Sequence, residues 1–441
     1  MKSLNPALTE RPSGNPWGWI PSVYIAEGLP YFAVNSLTVI MYTNLGIAKD
    51  RMAFYTGLLY LPWVIKPFWS PFIDILKTKR WWTLTMQIAI CIAMFVVALC
   101  LPTSGFFLSS LIVFWFMAFF SATHDIAADG YYMMALNEEQ QAAFVGVRST
   151  FYRIASVLGQ GGIVMFAGWL ESKYENIPFA WSLTFALLSI IFLVIFLIDW
   201  FNMPKTPKDR PLPNVTSKDI LKEFGKTFVT FFEKKYIWVA LAFILLYRLP
   251  EAFCLKLVQP FLLDDTANGG LGLTTAEVGF VNGTVGVICL LVGGILGGVM
   301  IARMGLKKCL WPMALALTLP CFVYCLFAWY QPQNFLTVCV GLGFEQFGYG
   351  FGFTAFMVYM MYFCTGESQT SHYAFCTAFM ALGMMLPGMF AGEIFNICES
   401  YGNLDVMSQA GYVLFFSFIM LSCVATFCSV VLVRRTLKDK E

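Results

Sequence analysis

Pro204-Lys-Thr-Pro-Lys-Asp-Arg-Pro-Leu-Pro213 opens the only sizeable polar stretch of the chain, residues 202–235, near the middle of its 441 residues. Proline has no amide hydrogen and its ring collides with the preceding helical turn, so this segment ends a helix and reads as a linker. The later part, 217–235, has the composition of an amphipathic helix lying on a membrane face. Outward from it the chain is apolar in both directions. It is 59% hydrophobic and 12% charged, against roughly 25% charged in soluble domains, and its mean hydropathy is +0.70. A membrane-crossing helix needs about 20 apolar residues. Six such runs precede the linker, at 19–43, 52–75, 82–102, 106–136, 143–170 and 179–201. Six follow it, at 236–263, 275–301, 310–330, 334–364, 372–396 and 408–432. The expected fold is an all-α membrane protein. Its twelve transmembrane helices form two pseudo-symmetric halves, 1–201 and 236–441, joined by the cytoplasmic linker 202–235.

That arrangement is the architecture of the major facilitator superfamily. The distribution of Lys and Arg supports it. With the N-terminus in the cytoplasm, 21 of the 28 basic residues fall in the tails, the linker and the cytoplasmic loops. Only Lys49, Arg51 and Lys173 fall on the other side, and Lys66, Arg153, Arg248 and Lys256 lie within spans. The positive-inside rule therefore places both termini in the cytoplasm. Internal repetition points the same way. Span one contains Glu27-Gly-Leu-Pro30 and span seven contains Arg248-Leu-Pro-Glu251, each expected to break its helix beside a charge. In a two-half transporter the cargo site lies near the membrane midplane, between the repeats.

Composition also excludes. There is no basic patch with nucleic-acid character. The 13 cysteines show no Cys-x-x-Cys pair and there are only two histidines, so neither a disulfide framework nor a metal site is expected. No nucleophile constellation or phosphate loop suggests an enzyme, and no cofactor is expected. The glycines of span eight, Gly279, Gly283, Gly286, Gly293, Gly294, Gly297 and Gly298, recur every three or four residues and read as close helix packing.

The candidate site is built on span four, in Ser121-Ala-Thr-His-Asp-Ile-Ala-Ala-Asp-Gly-Tyr-Tyr-Met-Met-Ala-Leu136. Asp125 and Asp129 are four residues apart and share a helix face. A carboxylate at bilayer depth costs a few kcal/mol even on insertion scales, and such residues mark proton or substrate paths. Asp125 and Asp129 are read as proton-coupling groups, the alternative being that they pair with Arg153 on the next helix. His124, about 100° round the helix, is a candidate relay or a hydrogen-bonded structural residue. Span four runs from outside to inside, so Asp129 lies one turn nearer the cytosol than Asp125. Glu27 and Arg248, at the Leu-Pro sites, are candidates for cargo contact. So are Arg153, Glu251, Glu345 with Gln346, and Glu393. Tyr31 and Tyr132 are candidates to stack on a sugar ring. Lys66 reads as a snorkelling lysine near the cytoplasmic end of span two.

With these residues in hand, the chain resembles the AmpG-type muropeptide permeases of the peptide/acetyl-coenzyme A transporter family. The likeness runs over nearly the whole chain. It rests on Gly28-Leu-Pro30, Lys66-Pro-Phe-Trp-Ser-Pro-Phe-Ile-Asp74, Phe151-Tyr-Arg153, Tyr247-Arg-Leu249 with Thr275-Ala-Glu-Val-Gly279, and Phe344-Glu345. It rests most on Ser121-Ala-Thr-His-Asp-Ile-Ala-Ala-Asp129, similar to the family's S-x-x-Q-D-I-x-x-D. The resemblance implies a monomeric, proton-driven importer in the bacterial inner membrane. Its cargo would be N-acetylglucosaminyl-1,6-anhydro-N-acetylmuramic acid and its peptides, with Asp125 and Asp129 as the coupling carboxylates. Two departures stand out: His124 replaces the family's glutamine, and Tyr131-Tyr-Met-Met134 replaces a Trp-Lys-x-Asp run. The alternative is the same machine with another cargo: free N-acetylmuramic acid or another amino sugar, acetyl-coenzyme A, a siderophore or a drug.

Overall fold

A computed structural model describes residues 15–207, 209, 217–365, 369–402 and 410–437. Among these every regular element is helical. Among the described residues, ten helices are long and apolar enough to cross a membrane. They are span one (Pro16–Asn44), three (Lys79–Cys100), four (Phe106–Ala135), five (Glu139–Tyr174), six (Ile177–Asn202), seven (Ile237–Leu263), eight (Thr275–Met304), nine (Leu306–Tyr330), eleven (Ser371–Tyr401) and twelve (Gly411–Arg434). Spans two and ten complete the twelve. Span two is two helices, Lys49–Leu58 and Leu61–Leu76, the second carrying Pro67 and Pro71 inside it. Span ten, Phe335–Phe363, is one helix made less apolar by Glu345, Gln346 and its glycines.

Span five begins earlier than its apolar run suggests. Asn137 and Gln140 form a reciprocal capping box, which satisfies the free amides of the first turn and starts the helix at Glu138. Five residues of polar helix, 138–142, are thereby added ahead of the apolar run that contains Arg148.

The expected breaks at Leu-Pro are resolved differently in the two halves. Span seven is interrupted at Tyr247, and Arg248 caps the second segment, Leu249–Leu263. Span one instead runs through Pro30 and widens into a π-helical turn at Ala33–Leu37. Pro30 cannot donate to the preceding turn, and a locally widened helix relieves the crowding without ending it. Spans five and eight carry matching π-helical turns, Val157–Ile163 and Val281–Gly286. These two turns meet backbone to backbone: a Cβ on Gly283 would lie 2.0 Å from the Cα of Gly161. The glycines further along span eight pack on span ten, where a Cβ on Gly293 would lie 2.1 Å from the Phe347 carbonyl. The glycine spacing thus serves two different partners.

The helices enclose a central cavity of about 1320 Å³. On the face opposite the linker it is sealed by contacts between the halves. Lys49 pairs with Asp264 at 2.6 Å, Asn44 donates to Thr275 (2.7 Å), Thr275 donates to Glu171 (2.5 Å), and Gly392 rides on the Lys49 backbone. Toward the linker face the lining continues to Lys79, Met133, Met134 and Ser371. The linker helix, Ser217–Phe232, lies at that mouth. Phe224 stacks near Phe68 of span two (5.3 Å) and Phe375 of span eleven (5.6 Å), and Phe231 is fully buried. Part of its apolar side therefore covers protein, while Phe228 and Val229 of the same helix remain exposed.

Candidate functional site

Span four brings Asp125 and Asp129 to the cavity wall, as their four-residue spacing requires. Neither pairs with Arg153. Asp125 accepts from the ammonium of Lys66 on span two. Asp129 pairs with Arg148 of span five at 2.8 Å and accepts from the Tyr24 hydroxyl at 3.2 Å. Glu27 of span one completes the group: carboxylate oxygens of Glu27, Asp125 and Asp129 lie within 4.8 Å of one another. Among the described residues they are the only group of three or more His, Cys, Asp or Glu side chains close enough to share one cation. Two cations already serve them. Three carboxylates against Lys66 and Arg148 leave one negative charge over, in a region where charge is expensive. One Oε of Glu27 is buried without a hydrogen-bond partner.

The C-terminal wall is built differently. Arg248 grips Glu251 with two bonds, Nε to Oε2 at 2.8 Å and an Nη to Oε1 at 2.7 Å. It also donates to the Tyr349 hydroxyl at 2.9 Å, and its guanidinium lies 4.7 Å from the centre of the Phe353 ring. This bidentate geometry is the strong form of a charged hydrogen bond. Glu345 accepts from Tyr324 (3.0 Å) and Gln346 (2.8 Å). Arg153 and Lys256 also line the cavity. Tyr31 packs edge-on against Trp63 at 5.3 Å and against Tyr60 at 6.5 Å, an aromatic wall from spans one and two.

Most of the residues chosen from sequence thus converge: Asp125, Asp129, Tyr31, Arg153, Arg248, Glu251, Glu345 and Gln346 line one cavity, with Glu27 against its acid cluster. Three stand elsewhere. Glu393 is exposed. It lies nine residues beyond Met384, the last lining residue of span eleven, and nine residues turn a helix about 900°, onto the opposite side. Tyr132 is buried behind the ion pair. Its hydroxyl donates to the Gln141 carbonyl at 2.6 Å, and its ring lies 5.6 Å from the Arg148 guanidinium. His124 is fully buried on the far side of span four. Gln87 donates to its Nε2 (3.3 Å) and to Asp199 (2.6 Å), which also accepts from Ser22. This network ties spans one, three, four and six together behind the cavity.

Sequence reasoning missed Lys66 and Arg148 as the partners of the two acids. For Arg148 a signal existed, since the Asn137/Gln140 capping box places it inside a helix. Lys66 carried no local signal, because its partner lies 59 residues away.

Comparison with known proteins identifies the family and the fold. The model of the Major Facilitator Superfamily matches residues 22–253. Among curated proteins the chain is 26% identical to the anhydromuropeptide permease of Escherichia coli K12, over 83% of this chain and 72% of that one. It is 25% identical to the putative transporter AmpG 4 of Rickettsia conorii, over 85% and 88%. The resemblance to AmpG-type permeases extends over most of the chain. Among solved structures, the D-xylose-proton symporter superposes with a TM-score of 0.69 at 12% identity, covering 92% of this chain and 95% of that one. The nucleoside transporter NupG does so with a TM-score of 0.68 at 14% identity, covering 93% and 98%. Twelve spans in two halves around a charged cavity, with a family model covering more than half the chain, lead to one conclusion: the chain belongs to the Major Facilitator Superfamily.

Proposed function

We propose that the protein is a proton-coupled importer of cell-wall turnover products, N-acetylglucosaminyl-1,6-anhydro-N-acetylmuramic acid and its peptides, working by alternating access in a bacterial inner membrane. Both termini are cytoplasmic and the monomer is the working unit. The halves 1–201 and 236–441 rock about the midplane, and the 202–235 linker holds them at the cytoplasmic side. On this orientation the cavity opens inward.

The observation that carries the reading is the charge of the acid cluster. Glu27, Asp125 and Asp129 outnumber Lys66 and Arg148 by one, so one proton brings the cluster to neutrality. Facing outward, the cluster takes a proton as cargo enters. Facing inward, it gives the proton up, and Lys66 and Arg148 close on the freed carboxylates. Asp125 receives first and Asp129, one turn nearer the cytosol, releases. The cavity, about 1320 Å³, exceeds the roughly 300–1,000 Å³ of ordinary small-molecule pockets, which suits a disaccharide with a peptide attached. The aromatic wall of Tyr31, Tyr60 and Trp63 offers faces for the sugar rings.

The test is uptake of labelled anhydro-disaccharide into proteoliposomes under an imposed pH gradient. Accumulation that collapses with a protonophore is the expected result. Absence of accumulation above protein-free vesicles, with uptake of a competing amino sugar or of acetyl-coenzyme A in the same panel, replaces the cargo but keeps the machine.

A further inference from the structure

Lys256 has no place in the coupling scheme. It sits on span seven, five residues beyond Glu251, and is only 3% exposed. Its ammonium nitrogen has no hydrogen-bond partner. Neither acid of the same wall serves it, since Glu251 is held bidentately by Arg248 and Glu345 by Tyr324 and Gln346. The side chain is nevertheless held in place. Its stem runs along Gly388 of span eleven, where a Cβ would lie 3.5 Å from the Lys256 Cγ. Its nitrogen lies 5.4 Å from the centre of the Tyr60 ring. Tyr60 belongs to the other half and stands at the break between the two helices of span two.

A buried ammonium is retained where something supplies its counter-charge, because an isolated ion in a low-dielectric site is strongly disfavoured. A ring face is a weak substitute for an anion. Gln259, three residues on, accepts from Asn282 at 2.9 Å, which leaves its own amide hydrogens for a ligand. One point charge with one amide beside it matches a monoanion with two oxygens, whereas phosphate groups draw several donors.

We infer that Lys256 binds a carboxylate of the cargo, with the Tyr60 ring swinging off the ammonium at the break in span two to admit it. The lactyl carboxylate of the anhydro-disaccharide is such a group, and a peptide-bearing cargo carries others. The assignment rests on the cavity being the cargo site, as proposed above. It adds a selection rule: a neutral sugar of the same shape leaves Lys256 bare and binds weakly.

The experiment measures affinity of the full-length purified chain for the anhydro-disaccharide as free acid and as lactyl methyl ester, by equilibrium binding. Wild type is compared with Lys256→Gln, with Lys256→Met as a second variant of different polarity. In parallel, thermal midpoints are read with acetate, lactate and N-acetylmuramate. Wild type is expected to prefer the acid by tenfold or more. Both variants lose that preference by weakening the acid alone, and Lys256→Arg retains most of it. An acid preference that persists in Lys256→Gln overturns the assignment and leaves the cargo reading intact. If the disaccharide binds neither way, the cargo reading fails. The assignment then survives on carboxylates that raise the midpoint of wild type but not of the variants, and falls with the cargo reading if they raise neither or both.

Discussion

The two walls of the cavity neutralise their buried charges by different means. On the N-terminal wall three carboxylates share two cations, the contacts are single, and the partners are fractionally open to the cavity: side-chain exposures run from 21% to 35% across Lys66, Asp125, Arg148 and Asp129. On the C-terminal wall Arg248 and Glu251 are 10% and 11% exposed and locked by two parallel bonds. A set of partners with one charge too many can exchange a proton without rebuilding. A closed bidentate pair is fixed, and on the proposed function it would present the rest of the guanidinium and the Tyr349 hydroxyl to cargo. On the proposed function, the pseudo-symmetric scaffold carries a titrating half and a holding half.

The sharpest way to break this contrast is to remove the titrating charge. One proton moving down a gradient of one pH unit supplies about 1.4 kcal/mol, or roughly tenfold accumulation. Asp129→Asn and Asp125→Asn are expected to lose that accumulation entirely while still exchanging cargo across the membrane, measured by counterflow in proteoliposomes. Proton-dependent accumulation surviving in both variants removes the coupling role from span four. The holding wall answers to a different perturbation. Glu251→Gln leaves the Arg248 charge buried with its partner gone, and such breaks cost about 3–5 kcal/mol. A large fall in the thermal midpoint is expected. Replacing both residues, Arg248→Met with Glu251→Leu, restores most of the stability and still abolishes cargo binding. Intact binding in that stable double variant means the C-terminal wall does not hold cargo.

Between the walls lies the contact about which the proposed rocking would turn. Gly283 meets Gly161 at the facing π-helical turns of spans five and eight, with no space for a side chain, whereas a Cβ on the adjacent Gly162 meets nothing within 4 Å. Gly283→Ala is expected to destabilise by about 1–3 kcal/mol through overpacking and to slow cargo exchange. Gly162→Ala should change neither. Equal behaviour of the two variants would mean that this crossing is not where the halves bear on each other.

How much of this was open to reading follows from what each feature depends on. The helical architecture needs only local composition, so runs of about 20 apolar residues locate it. The facing of Asp125 and Asp129 depends on helical period alone and is equally local. Partner choice is not local. Lys66 reaches Asp125 because two helices carry particular rotations, and no spacing within either helix records that. Arg148 falls within the 143–170 run but counts with the cytoplasmic loop before it, because hydropathy alone does not mark that the helix begins at Glu138. Glu393 failed for a related reason: a single acid in an apolar run does not say which side faces the cavity. The lining residues of the same span must be known first. Span one shows the remaining limit. The same Leu-Pro pair ends a helix segment in span seven and only widens span one, since the neighbours decide which response is cheaper.

His124 gives the smallest expected effect and the finest test of where the titrating half ends. A relay would have to hand a proton from Asp125 to an imidazole on the other side of span four. That ring is fully buried, accepts from Gln87 at 3.3 Å, and leaves its Nδ1 without a partner. Gln87 in turn is committed to Asp199. A glutamine at position 124 can still accept from Gln87, so His124→Gln should keep the packing behind the cavity and change stability by no more than about 1 kcal/mol. Uptake and its dependence on external pH are expected to stay within twofold of wild type. A shifted pH profile with normal stability would connect the Ser22–Asp199–Gln87–His124 network to the coupling acids. The titrating half would then reach through span four to spans three and six, rather than stop at the cavity wall.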